Sequence, residues 1–225
     1  MEICKYHGVE RIIFASCSVY GASKLPWVNE GSFLNPVSLY AKSNRFRTDN
    51  PQFSQLFRQR SNNACYSEIC KVFGWSRRMR FDIVVNLLTA KAVIDKEITI
   101  YGGDQYRPFV RSGCTDACIT AFEAEKELVD RQIFNVGDND LNYRISEVGE
   151  TVAKIIGCGG EVHKIQGRRR TYRVSFDKIN YILGWKAKWS LEDGIKEMKK
   201  MTKNLELGTI GIANTGTRLI LICSL

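Results

Sequence analysis

"RIIFASCSVYG", residues 11–21, decides the fold. Its first six residues, Arg11 to Ser16, are an apolar run with two isoleucines and a phenylalanine, ending in a small hydroxyl residue. A run without polar alternation is the pattern of a strand buried on both faces of a parallel sheet. Ligands of open α/β sheets bind beyond the carboxyl ends of the strands, so Ser16 is placed to meet a substrate oxygen. Ordinary turn chemistry, in which Ser and Gly close a strand, accounts for the same residues.

Beyond a loop through Gly21, Pro26 and Pro36 comes "PVSLYAKSN", residues 36–44, where a helix is expected to begin near Ser38. Tyr40 and Asn44 lie four apart and share one helical face. A lysine at the second position would supply a charge that helps the phenol lose its proton. A free tyrosine titrates near pH 10, so roughly one in a thousand is ionised at neutrality, and closing that gap takes about 4 kcal/mol. Asn44 can hydrogen-bond a ribose hydroxyl but brings no charge, and Lys42 points to another face. Pro51 should end or kink the helix near Asn50.

Residues 44–71 are polar and basic, with little periodicity. "ACYSEICKVFG" (64–74) reads as a possible strand, although Glu68 and Lys71 are uncomfortable in a central one. From residue 82 the pattern recovers. "DIVVNLLTAKAVI" reads as a buried helix with Asp82 as its N-cap, "EITIYGGD" as a strand ending in a glycine turn, and "CTDACITAFEAEKEL" as a closely packed helix. "QIFNVG" is a short strand. "SEVGETVAKIIG" is a helix with a serine cap that Gly157 stops, and "EVHKI" a strand. "SFDKINYILGW" and "SLEDGIKEMKKM" complete the series as helices. Strands alternating with helices specify an α/β protein with parallel strands. The last 18 residues lack a clear period and read as a loosely attached tail.

The 225 residues are 44% hydrophobic and 25% charged, which excludes disordered and fibrous classes. No signal peptide is visible, and the apolar run "LILICSL" is too short to span a bilayer, so a cytoplasmic protein without a membrane partner is expected. The eight cysteines include no CxxC pair and only two histidines accompany them, so reduced thiols and no metal are expected. A net charge of +9, concentrated in "RRMR" (77–80) and "GRRRTYR" (167–173), fits a solvated face, small-ligand phosphates or nucleic acid. Aromatic residues are not interleaved with these basic runs, which counts against RNA or DNA. In "IYGGDQYRPFV" (100–110), Arg107 follows a Gly-Gly turn, where it could grip a pyrophosphate or make a surface ion pair.

Six segments in order, "RIIFASCSVYG", "NPVSLYAKS", "VFGWSRRMRFDIVVNLL", "ITIYGGDQYRPFV", "FNVGDNDLNYRISEV" and "YRVSFDKINYILGWKAKWSLEDGIKE", resemble the NAD-dependent epimerase/dehydratase family. This is the extended branch of the short-chain dehydrogenase/reductases acting on nucleotide sugars. The resemblance implies a partial Rossmann fold, a doubly wound parallel sheet lacking its first strands, with a small α/β substrate-binding domain. The expected division is 1–80 for the remnant NAD-binding domain, 81–203 for the substrate domain with 114–137 returning to the sheet, and 204–225 for the tail. It also implies NAD as cofactor, a nucleotide-diphosphate sugar as substrate, and a possible homodimer pairing helices that include the one at Tyr40. Ser16 would bond a sugar hydroxyl and Tyr40 would act as acid/base. Asn44 stands at the lysine that holds the cofactor's ribose. Asn86, Arg107 and Arg170 would contact the diphosphate.

The resemblance also identifies departures. The family's glycine-rich loop has no counterpart in these residues. Cys17 and Ser18 replace the Asp-Glu pair of dehydratases, which makes the match closer to epimerases. Arg111 and Cys114 take the His and Asp places of a family turn, and Arg168 replaces an acidic residue. Patches such as 44–71 between well-matched segments are what a shifted reading frame would leave. The expected function is a nucleotide-sugar epimerase impaired or inactive as this chain. The alternatives are a non-catalytic basic module for nucleotide sugar or a polyanion such as RNA, and an unstable fragment.

Overall fold

A computed structural model of the chain describes residues 6–21, 23, 25–49, 63–76, 79–111, 114–163, 171–206, 210–215 and 218–223. The first sheet is built from β1 (Arg11–Ser16), β3 (Asn63–Ile69) and β7 (Ile133–Val136), all parallel, with β3 in the middle. The short β2 (Trp27–Val28) and the helix α1 (Leu39–Asp49) lie between the first two of these strands in sequence. α1 is described to Asp49, and the expected end or kink at Pro51 falls outside the described residues.

β1 differs from its expected burial. Ile12, Ile13 and Phe14 are half-buried and Ala15 is exposed, because β1 forms an edge of this sheet. Conversely β3 takes the central place despite Glu68, whose backbone pairs with Ser16 on one side and Asn135 on the other. A break at Cys70 separates β3 from β4 (Lys71–Phe73), which sends Lys71 into a different sheet.

The helix α2 (Val84–Ile94) leads into β5 (Glu97–Tyr101) and β6 (Tyr106–Arg111). Asp82 is not its cap. Ile83 occupies that position without any side-chain bond, and Asp82 is drawn instead into a two-pronged pair with Arg80, at 2.6 and 3.0 Å. The expected helix over 114–128 divides into α3 (Thr115–Glu123) and the short α4 (Lys126–Val129), with Ala124 extended between them. The division has a donor behind it: the Arg11 guanidinium bonds the carbonyls of Ala121, Phe122 and Ala124, satisfying orphan acceptors at the end of α3.

β8 (Asn142–Arg144) runs antiparallel to β6, an exception to the parallel expectation, while β6 also pairs in parallel with β4. The helix α5 (Ile145–Ile156) begins one residue before the expected serine cap. Glu147 supplies the cap, accepting the Arg144 N–H at 2.7 Å, and Gly157 ends the helix at φ +81°. β9 (Gly159–His163) pairs in parallel with β5, and β10 (Arg173–Val174) with β2. Then follow α6 (Asp177–Leu183) and α7 (Leu191–Glu206), the latter capped by Ser190 and Asp193 bonding each other's groups. Where no period was read in the tail, β11 (Ile210–Thr215) and β12 (Arg218–Cys223) form an antiparallel hairpin that makes its own two-stranded sheet.

Two apolar cores result. Val19, Phe134, Val136, Ala117 and Trp185 belong to one, around the first sheet. Phe73, Phe109, Leu88, Val148, Leu191 and Ile195 belong to the other, where α2, α5 and α7 pack together. Gly194 permits that packing, since a Cβ there would come within 2.3 Å of the Phe73 ring. Among the described residues, no helix is long and apolar enough to cross a membrane.

Candidate functional site

The carboxyl end of β1, the strand β4, the residues Gly74, Ser76 and Arg80 and the beginning of α2 surround a cleft of about 570 Å³. Ser16, Cys17 and Ser18 line one wall, Tyr40 projects from α1, Lys71, Ser76, Arg80 and Asn86 form the rest of its polar frame, and Ile83 is apolar lining. Ser16 is 2% exposed, and its Oγ has no hydrogen-bond partner among the described residues. A buried hydroxyl without a partner costs free energy, and such an atom at a cleft wall is set to meet a ligand. Tyr40 is 61% exposed, with its phenol open to the same cleft.

Asn44 does not join them at the cleft. It is buried, and its Nδ2 donates to the Cys17 carbonyl at 3.0 Å, tying α1 to the loop that leaves β1. That loop turns sharply: Ser18 sits at φ +69°, a left-handed conformation that is uncommon for serine. Cys17 Sγ and Ser18 Oγ lie 3.1 Å apart, a thiol and a hydroxyl in hydrogen-bond contact at the cleft wall. Gly21, at φ +56°, lets the chain double back against Asn35, whose backbone oxygen would be 1.7 Å from an added Cβ. The turn therefore fixes the path from Ser16 to Tyr40.

Asn86 is buried beneath the cleft with its amide used at both ends. Its Oδ1 accepts from the Gly74 N–H at 3.0 Å and its Nδ2 donates to the Arg80 carbonyl at 2.9 Å, which closes the 74–80 loop. Arg80 and Asp82 form an exposed pair. Its hydrogen bonds raise the Arg80 guanidinium and hold the Asp82 carboxyl below the usual range.

Arg107 belongs to a second cleft of about 330 Å³, bounded by α2, β5 and the turn before β6. Its guanidinium is held by the Tyr106 carbonyl and by Gln105 Oε1, each at 2.7 Å. Lys71, Arg80 and Ile83 line both clefts, so the two adjoin. Ser16, Tyr40, Asn86 and Arg107 thus lie along adjoining clefts, while Arg170 and Arg168 lie outside the described residues.

Sequence reading missed Lys71 and Arg80 as cleft residues. Its signal for Arg80 was the basic run 77–80, and for Lys71 a charge that suited no central strand. It also missed a stack in which the Arg173 guanidinium lies 4.7 Å from the ring centroids of both Trp27 and Tyr106, with Arg144 5.1 Å from Tyr106. These residues come from β10, β2, β6 and β8, so the interleaving of aromatic and basic groups appears only in three dimensions. Among the described residues, no group of three or more His, Cys, Asp or Glu could hold a metal ion. Cys17, Cys70, Cys114, Cys118 and Cys158 are thiols rather than disulfides.

A family model described as the NAD dependent epimerase/dehydratase family matches residues 1–137. A putative UDP-glucose 4-epimerase of Methanocaldococcus jannaschii is 26% identical over 212 residues, which cover 91% of this chain and 67% of the relative. An uncharacterized UDP-glucose epimerase of Bacillus subtilis, YtcB, is 25% identical over 87% of this chain and 61% of its own length. Among solved structures, UDP-glucuronic acid 4-epimerase from Bacillus cereus in complex with UDP-glucuronic acid and NAD superposes with a TM-score of 0.75. That match has 23% identity and covers 91% of this chain and 65% of the other. Thermus thermophilus UDP-glucose 4-epimerase in complex with NAD gives 0.72 at 22% identity, over 90% of this chain and 67% of the other. Likeness at these identities is likeness of fold.

Proposed function

This chain belongs to the NAD-dependent epimerase/dehydratase family, and from that premise we propose that its adjoining clefts bind a nucleotide-diphosphate sugar, with epimerase-type chemistry impaired or lost. One observation carries the reading: the Ser16 hydroxyl, buried and unpartnered, lines the same cleft as the Tyr40 phenol. In the proposed pose a sugar hydroxyl lies between them. Ser16 Oγ fixes it by a hydrogen bond, and Tyr40 is the group that takes or returns its proton. Cys17 and Ser18 stand where a carboxylate pair would be needed to remove water across the ring. Epimerization therefore fits the wall better than dehydration.

NAD is the cofactor of the family and supplies hydride transfer when bound. Of the residues expected to meet it, Tyr40 faces the cleft, while Asn44 is buried, spends one amide N–H on the Cys17 carbonyl and brings no charge to a ribose. An uncharged amide at residue 44, where the family's lysine would stand, is the ground on which impaired catalysis is proposed.

Calorimetric titration with NAD and with UDP-, GDP- and dTDP-sugars tests this. Sugar-nucleotide binding with weak NAD binding and no turnover is expected. Failure to bind any nucleotide sugar overturns the reading, and tight NAD binding with turnover overturns the impairment. A second reading, a basic module for a polyanion such as RNA, is favoured by the stack of Arg173 and Arg144 on Trp27 and Tyr106. An RNA arm of the same titration, repeated at raised salt, measures it. The proposed setting is the cytoplasm, and a homodimer is the proposed assembly, read by size-exclusion with light scattering.

A further inference from the structure

Only Lys71, Arg80 and Ile83 line both the Ser16–Tyr40 cleft and the Arg107 cleft, among the described residues. On the reading proposed above, a sugar rests in the first and the nucleotide side reaches the second. A molecule spanning both must carry its linking group past these three residues.

Three positive features of separate origin meet there. Lys71 opens β4 and lines not only both clefts but also the small cavity between Cys17, Ser18 and Tyr172. Arg80 comes from the loop that Asn86 closes. The third is the N-terminus of α2, which has neither a side-chain cap at Ile83 nor an acidic residue in its first turn, so its partial positive charge is not offset locally. Among the described residues that line the second cleft, one carboxylate opposes them. Asp82 holds Arg80 at 2.6 Å and feels Lys71 more weakly. Two cations and a helix end against one carboxylate leave the junction positive. The Arg80–Asp82 pair is well exposed, at 70% and 52%, and exposed pairs open at little cost.

We propose that Lys71 and Arg80 form an anion-binding pair at the junction, gripping an oxyanion of the bound nucleotide sugar. That oxyanion belongs to the diphosphate or to a carboxylate on the sugar. The proposal rests on the nucleotide-sugar reading of the clefts. Asn86, the expected diphosphate contact, gives one bond from each end of its amide to Gly74 and Arg80, and so also positions Arg80. Lys71 acts as a compact charge reachable from either cleft, and Arg80 offers a planar fork for which the ligand competes with Asp82.

The test is calorimetry on the full chain with UDP-glucose, UDP-glucuronate, uridine and inorganic pyrophosphate. Each is measured for the unaltered protein and for Lys71→Gln, Lys71→Arg, Arg80→Gln and Asp82→Asn, with urea midpoints confirming that each variant folds. Lys71→Gln and Arg80→Gln should weaken UDP-glucose binding by about 10- to 100-fold. Lys71→Arg should keep most of it, Asp82→Asn should strengthen it, and uridine binding should not change. Equal losses for UDP-glucose and UDP-glucuronate assign the oxyanion to the diphosphate, and a larger loss for UDP-glucuronate assigns it to the sugar carboxylate. Unchanged affinities in both Gln variants would overturn the anion pair and leave the nucleotide-sugar reading standing. Pyrophosphate binding that Lys71→Gln abolishes, with no nucleotide sugar bound, would keep the pair and remove that reading. If the unaltered chain binds neither pyrophosphate nor a nucleotide sugar, both fall.

Discussion

Asn44 gives its amide N–H to the Cys17 carbonyl at 3.0 Å, while Tyr40, one helical turn earlier, stays open to the cleft. The position that aligns with a charged partner of the tyrosine therefore serves as a tether between α1 and the end of β1. Asn44→Ala removes the donor and leaves a poorly solvated carbonyl behind. A loss of about 1–2 kcal/mol in urea denaturation is expected. An unchanged midpoint would show that the loop holds itself.

Ser16 should behave in the opposite way. Its buried hydroxyl has no partner, so Ser16→Ala discards an unsatisfied polar group and should leave the urea midpoint unchanged or slightly raised. Nucleotide-sugar affinity should fall by about tenfold, the worth of one hydrogen bond in a cleft. A variant destabilised without loss of affinity would show that the hydroxyl serves the fold.

Glu30 carries a pH dependence of unusual sign. Burial pushes its carboxyl up from the ordinary value of 4.5, against the opposing pull of the Asn135 N–H and of Lys178. The folded state therefore holds this proton more tightly than the unfolded chain does. Its contribution favours folding below the unfolded value and is lost as pH rises through the folded one. Asp177 and Asp193, held below the usual range by hydrogen bonds, contribute in the other direction: their stabilisation is present above the unfolded value and lost on acidification. Glu30→Gln keeps an acceptor for Asn135 and removes the charge. Urea melts from acid to neutral pH should show the variant gaining on the parent as pH rises, and parallel curves would contradict the assignment.

Arg111 joins β6 to α7. It pairs with Glu197 at 2.5 and 3.1 Å, and its guanidinium lies 4.1 Å from the Trp189 ring centroid. The pair is only 16% and 31% exposed, so Arg111→Ala strands a partly buried carboxylate and uncovers an indole face. A loss of about 2–3 kcal/mol is expected, with a smaller one for Glu197→Gln. A double-mutant cycle that gives no coupling would reduce the pair to surface decoration.

The alternation of strands and helices was legible because apolar runs such as 11–16 and 133–136 carry their structure locally. Gly157 ended its helix where its backbone chemistry required. What was not legible depended on partners far away in the chain. No local rule marks Ala124 as a helix break, since the cause is Arg11. Likewise Asp82 reads as a cap until Arg80 competes for it. At the site, Ser16 and Tyr40 could be named from their places at a strand end and a helix start, whereas Lys71 looked like an error in a strand. The break at Cys70, which hands Lys71 to another sheet, turned that charge toward the clefts.

The strand order of the first sheet also sets a schedule for synthesis. β3 lies between β1 and β7, and β3 ends at Ile69 while β7 begins only at Ile133, so the middle strand is made long before its second neighbour. Until then β3 exposes an unpaired edge, and the Arg11 guanidinium waits for carbonyls more than a hundred residues downstream. Long-range parallel pairing is slow, and unpaired edges recruit other chains. The yield of this protein in a cell should thus depend on translation speed and on chaperones that shield the nascent strand.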